Sequence, residues 1–135
     1  VAEALGGRVE KSPKGWGVGV HTHIFNELPE WHDGQNREFN IIVSHQDQVI
    51  QNADGVKVLA RSDFCENAVC QLDDHILTFQ GHPEFVAGYS RKIIGFRKEM
   101  IGEIASTVGL ESLSTPSDSL RVTNWITNFI TIGSY

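Results

Sequence analysis

The sequence changes its hydrophobic period once, at Gln80-Gly81-His82-Pro83-Glu84, and that change confines the fold more than any other feature. Before it, apolar residues come in runs or alternations of strand length; after it, they recur at helical spacing. The strand candidates are Arg8-Val9-Glu10, Trp16 to Phe25, Glu38 to Val43, Val56 to Arg61, Ala68 to Leu72 and Ile76 to Gln80. Turn-forming residues separate them: Lys11 to Gly15, Asn52 to Gly55, and Asp73-Asp74-His75, which reads as a hairpin. Downstream, Ile93, Ile94, Met100, Ile101, Ile104, Ala105 and Val108 form one stripe, which Gly109 ends. Val122, Ile126, Phe129 and Ile130, with Trp125 beside them, form a second. Thr115 and Pro116 open it, with Asp118 in the first turn. Both stripes read as core faces. The expectation is one α/β unit over residues 1–135, strands first and two helices last, with no repeat or linker.

At 135 residues the chain can bury a sizeable core. Its formal net charge is −6 and its Lys and Arg are not clustered, which argues against a nucleic-acid or anionic-membrane partner. No apolar run approaches the roughly 20 residues that span a bilayer. The start, Val1 to Leu5, has no basic-then-apolar signal pattern. It reads instead as the last turns of a helix closed by Gly6 and Gly7, so the chain is expected to be a fragment of a longer one. Cys65 and Cys70 make neither a disulfide framework nor a zinc-ribbon spacing. Reduced thiols in a cytoplasmic protein are the simplest account.

The chemistry concentrates where the period changes. Pro83 fixes its own φ and biases His82 toward extended geometry. In an extended chain residues i and i+2 point to one side. His82 and Glu84 can then lie side by side, the carboxylate holding the imidazole in one tautomer: the base and orienter of a nucleophilic triad. On a parallel strand His82 would sit at the carboxyl end, where open α/β sheets place their sites. A strand ending in a proline turn with a solvated histidine fits the same residues. Ser44-His45-Gln46-Asp47, directly after an apolar strand, suits a pocket wall and equally a turn. His21 and His23 share a strand face, as a metal pair would and as two half-exposed histidines would. Asn26 to Arg37 reads as a loop over a site. Asp73 and Asp74 read as a solvated turn.

Five stretches together resemble a class I glutamine amidotransferase of the stand-alone, GMP synthase-like kind. They are Ala4 to Val9, Trp16 to Gly19, Val43 to Val49, Cys65 to Ala68 and Gln80 to Glu84, in the family's order. The resemblance implies a flavodoxin-like fold, a mainly parallel sheet with helices on both sides plus a β-meander, present here as its C-terminal portion. It implies a Cys-His-Glu triad that releases ammonia from glutamine for an unknown acceptor, without metal or organic cofactor. His82 would be the base and Glu84 its orienter. Ser44, His45, Gln46 and Asp47 would line the glutamine pocket. The family's nucleophile sits in a Gly-x-Cys-x-Gly-x-Gln turn just upstream of the Ala4-Leu5-Gly6-Gly7 segment, outside this chain. Cys65 matches a loop position near the pocket, and neither it nor Cys70 has the glycines of that turn. The chain by itself is therefore expected to be inactive, and to self-associate or to associate with the upstream half.

Two other readings stand beside this one. A metal-dependent hydrolase is motivated by His21, His23, His32, Asp33, His45 and Asp47, whose spacings match no metal-site pattern. A non-enzymatic binding or regulatory domain could use the same scaffold.

Overall fold

The computed structural model describes residues 1–132. Its strands are β1 (Arg8–Lys11), β2 (Gly17–Phe25), β3 (Glu38–His45), β4 (Asp47–Gln51), β5 (Lys57–Ser62), β6 (Val69–Leu72) and β7 (Ile76–Phe79). Its helices are α1 (Ala87–Phe96), α2 (Lys98–Ile101), α3 (Glu103–Ser112) and α4 (Ser119–Ile132). The opening segment forms a single 3-10 turn, Glu3–Leu5, capped by Gly6 in left-handed conformation at φ 94°.

Five strands form one sheet in the order β3-β2-β5-β6-β7, and β1 pairs with β4 apart from it. Every strand pairing among the described residues is antiparallel. The expectation of a mainly parallel sheet is corrected here, and the reason is connectivity. Parallel neighbours need a crossover of a dozen or more residues, usually a helix. No helix falls between β1 and β7, so the strands return through turns. Asp73, at φ 49°, makes the tight β6–β7 hairpin that the sequence announced.

The register of β2 on β3 runs from Gly17 opposite His45 to Ile24 opposite Glu38. Alternate residues enter two cores. Phe25, Phe39 and Ile41 pack with Trp31, Leu59, Val69, Val122 and Trp125, beneath α4. Val18 and Ile42 pack with Ile94, Ile101 and Leu113, beneath α1 to α3. Helices therefore cover both faces of the β2–β3 pair. The loop from Asn26 to Arg37 does not hang over a site. It buries Trp31 and His32 against α4, where Arg121 grips Asp33 with two nitrogens at 2.8 and 3.1 Å.

The helical half departs from expectation in three places. The first stripe is broken at Arg97 and at Gly102, where φ is 92°, so one helix becomes three. Gly109 does not end the run; it lies inside α3 against Val18. Met100, Ile104 and Val108 face outward rather than into a core, at 66, 82 and 60 % exposure. The start of α4 also falls later than Thr115 and Pro116 suggest. Asp118 is held by β3: its N–H donates to the Asn40 carbonyl at 2.6 Å and its carboxylate accepts the Asn40 N–H at 2.7 Å. The carbonyl of Asp118 then receives the Val122 N–H and the helix begins.

Candidate functional site

His82 and Glu84 sit on a β-turn fixed to the sheet. The His82 N–H donates to the Ile42 carbonyl at 2.7 Å, which tethers the turn to the outer edge of β3. The Phe85 N–H donates to the His82 carbonyl at 3.1 Å and closes the turn around Pro83 and Glu84. Proline suits the second turn position because its φ is already set. Gly81 permits the approach: a Cβ there would meet the Ile41 side chain at 2.5 Å. Within the turn His82 Nδ1 lies 2.8 Å from Glu84 Oε1. The two side chains meet as the sequence suggested, but by a different route. The backbone folds back over Pro83 instead of running extended, and His82 does not cap β7, which ends at Phe79.

Partial burial pulls the Glu84 carboxyl upward, but the hydrogen bond from His82, a backbone hydrogen bond and the charge of His82 together leave the carboxyl below its ordinary value. The His82 side chain is one-third exposed at 33 %. Phe85 stacks on one face of its ring, centroids 4.1 Å apart and planes 10° from parallel. No role for Phe85 was legible beforehand; an aromatic residue closing a proline turn is the only sequence signal it gives.

The expected pocket segment is not a loop. Ser44 and His45 end β3, Gln46 is the bend, and Asp47 opens β4. His45 is buried, its Nδ1 3.0 Å from the Asp47 carbonyl and its ring edge-on to Phe64. Its Nε2 is buried without a hydrogen-bond partner. Burial chiefly, with the charge of His82 adding to it, lowers the pKa of His45. That coupling marks His45 as the member of the segment near His82. Ser44 alternates to the other side of β3 from His45, and Asp47 is exposed and pairs with Lys11. A cavity of about 370 Å³ lies between the β1–β4 pair and the β6–β7 hairpin, and of the candidate residues only Asp47 lines it.

Cys65 and Cys70 are both buried, and burial pushes each thiol up to about 11. A thiol so held stays protonated near neutral pH and is a poor nucleophile. The histidines of the metal reading are dispersed: His21 and His23 on β2, His32 and Asp33 beside α4. Among the described residues no three His, Cys, Asp or Glu side chains are grouped as a metal ion would need. No described helix is long and apolar enough to cross a membrane.

The family model for glutamine amidotransferase class-I matches residues 1–99. The chain belongs to the class I glutamine amidotransferase family. Among its relatives is gamma-glutamyl peptidase 2 of Arabidopsis thaliana, 31 % identical over 88 residues, covering 63 % of this chain and 36 % of the peptidase. A Saccharomyces cerevisiae protein provisionally named a glutamine amidotransferase is 35 % identical over 92 residues, covering 68 % of this chain and 36 % of that protein. The matched region of this amidotransferase-family chain thus spans about a third of those relatives. A glutamine amidotransferase structure from Methylobacillus flagellatus superposes with a TM-score of 0.69 at 22 % identity, over 96 % of this chain and 57 % of that one. One from Thermotoga maritima gives 0.68 at 14 %, over 97 % and 56 %. The flavodoxin-like amidotransferase fold is common to them, and this chain carries the antiparallel strands and trailing helices described above.

Proposed function

We propose that His82 and Glu84 are the base and orienting carboxylate of a Cys-His-Glu triad that hydrolyses the side-chain amide of glutamine, its thiol supplied from outside residues 1–135. The observation that carries this is the 2.8 Å contact of His82 Nδ1 with Glu84 Oε1 beside a partly exposed ring. With Nδ1–H donating to Glu84, Nε2 keeps its lone pair and can take a thiol proton. Sulfur attacks the γ-carbonyl carbon and the carbonyl π electrons move to oxygen. The adduct collapses to a thioester while Nε2–H protonates the departing ammonia. Water, deprotonated by the same nitrogen, then releases glutamate and regenerates the thiol. Glu84 stabilises the imidazolium formed in both halves. Ammonia passes to an acceptor that this chain does not specify. In the Ser44 to Asp47 segment, the unpartnered Nε2 of His45 supports a role in holding substrate, since buried polar groups are ordinarily satisfied.

A second reading of the same pair is favoured by the Arabidopsis relatives. A γ-glutamyl peptide offers the same acyl group with an amino acid amine as leaving group, and His82 would protonate that amine instead. Both are tested on the intact polypeptide that carries the thiol, with glutamine and a γ-glutamyl dipeptide as substrates. His82→Ala is expected to lower turnover at least about 10⁴-fold with the fold unchanged. Glu84→Gln should cost less, because the amide still accepts from Nδ1–H but cannot balance the imidazolium charge. Residues 1–135 by themselves should release no ammonia. Near-normal turnover by His82→Ala would sink the triad. Hydrolysis of the dipeptide without that of glutamine would select the second reading, and turnover of neither would favour a binding domain.

A further inference from the structure

Phe85 carries no assigned role, yet it makes the closest ring contact among the described residues, 4.1 Å and 10° from parallel over His82. It is itself held from two sides. Tyr89, in the first turn of α1, meets it edge-on at 4.7 Å and 80°. On the interior side Phe85 packs against the core of Val18, Ile42, Ile94, Ile101 and Leu113. Its N–H closes the turn that carries His82 and Glu84. One residue therefore links the core under β3, the turn and the plane of the imidazole.

We infer that Phe85 is a positioning residue: it fixes the plane of the His82 ring so that Nδ1 stays on Glu84 and Nε2 keeps a single direction. The inference rests on the triad reading for its catalytic consequence, and on geometry for the stacking. The hydrogen bond to Glu84 restrains the ring at one atom, and a ring held at one atom can still swing about that contact. A flat surface parallel to it removes the swing. The aromatic face also suits a ring that becomes cationic twice in each cycle. The ionisable groups around His82 are Glu84 on the same turn, His45 from the end of β3, and, behind Phe85, Tyr89 on α1. Among the described ring contacts of His82, the parallel one is with Phe85.

The test uses Phe85→Leu and Phe85→Tyr in two settings. In the 135-residue chain, NMR of the His82 ring reads stacking and tautomer without any catalysis. The wild-type carbon-bound ring protons should be shifted upfield by the Phe85 ring current, with the two ¹⁵N shifts separated as in one tautomer. In Phe85→Leu the upfield shift should vanish and the ¹⁵N shifts converge; in Phe85→Tyr both should return. Unchanged resonances of the buried His23 and Trp125 verify that each variant is folded. In the intact polypeptide, Phe85→Leu should lower kcat about 10-fold or more at unchanged KM, a loss of the size expected for small misplacement of a reacting group, and Phe85→Tyr should restore it. His82 resonances unmoved by Phe85→Leu would overturn the stacking. Lost stacking with unchanged kcat, or no rescue by Phe85→Tyr, would overturn positioning. An intact protein inert on both substrates with the NMR pattern intact would overturn the triad reading instead.

Discussion

His23 lies 2 % exposed on β2, stacked on Phe39 at 5.1 Å, its Nδ1 3.0 Å from the His21 carbonyl. Burial, reinforced by the charge of His21, holds its pKa down to about 4. The folded value lies below the unfolded one of 6.5. The unfolded chain therefore takes up the proton first as pH falls. Stability is complete above about pH 6.5, declines between 6.5 and 4, and loses nothing further to this group below that, a total on the order of 3 kcal/mol. Urea unfolding at pH 7.5 and 4.5 should show the decline, and His23→Leu should shrink it by about 2 kcal/mol. An undiminished decline in that variant would place the acid sensitivity elsewhere. The sequence told that His21 and His23 share a face, because strand alternation is local. It did not tell that His23 is interior, because that depends on Phe39 lying opposite it, a fact of register between strands. The meeting of His82 with Glu84 was legible because it is decided locally, within residues 82–85, though a turn and not an extended strand brings it about.

The elements were legible to the extent that their signals are local. Strands bounded by Gly, Pro and Asp turns fell close to where the alternation put them. The direction of pairing did not, because the family resemblance spoke for a whole sheet and this stretch supplies only strands joined by turns. The helical stripe hid two breaks, since apolar spacing continues smoothly through Arg97 and Gly102. Gly109 looked like a terminator and is instead a contact. A Cβ at Gly109 would meet Val18 Cγ2 at 2.6 Å and the Val18 carbonyl oxygen at 3.0 Å. Beside it, Ser112 Oγ accepts the Val20 N–H at 2.9 Å, a bond that would open if α3 lifted. Gly109→Ala should therefore destabilise by about 1–3 kcal/mol despite its better helix propensity. Chemical denaturation decides it: a stabilised variant would mean that α3 does not press on β2 as closely as described.

Across the whole molecule, both faces of the β2–β3 pair are covered, but the outer surface of the helical layer sets apolar side chains among its charged ones. Phe96, Met100, Ile104 and Val108 lie 60–89 % exposed along α1 to α3. Apolar surface of this kind favours association. The 135-residue chain is expected to self-associate at micromolar concentration, as sedimentation would show, and Ile104→Glu with Val108→Lys should weaken it. A monomer before and after substitution would leave that surface without such a role. The sequence counted Met100, Ile104 and Val108 as core because spacing says which residues share a face, not what the face meets.

The turn that carries His82 separates two properties usually spoken of together. Pairing of the imidazole with its carboxylate is settled within four residues, by Pro83 and the bond from Phe85 N–H to His82 O. Aim is settled from outside, by the Ile42 carbonyl beneath and the Phe85 ring anchored in the core. Such a turn is a cassette. Grafted onto another strand edge it would still bring the pair within reach, and it would hold and point that pair only as well as the new edge and the new neighbour of the aromatic ring allowed.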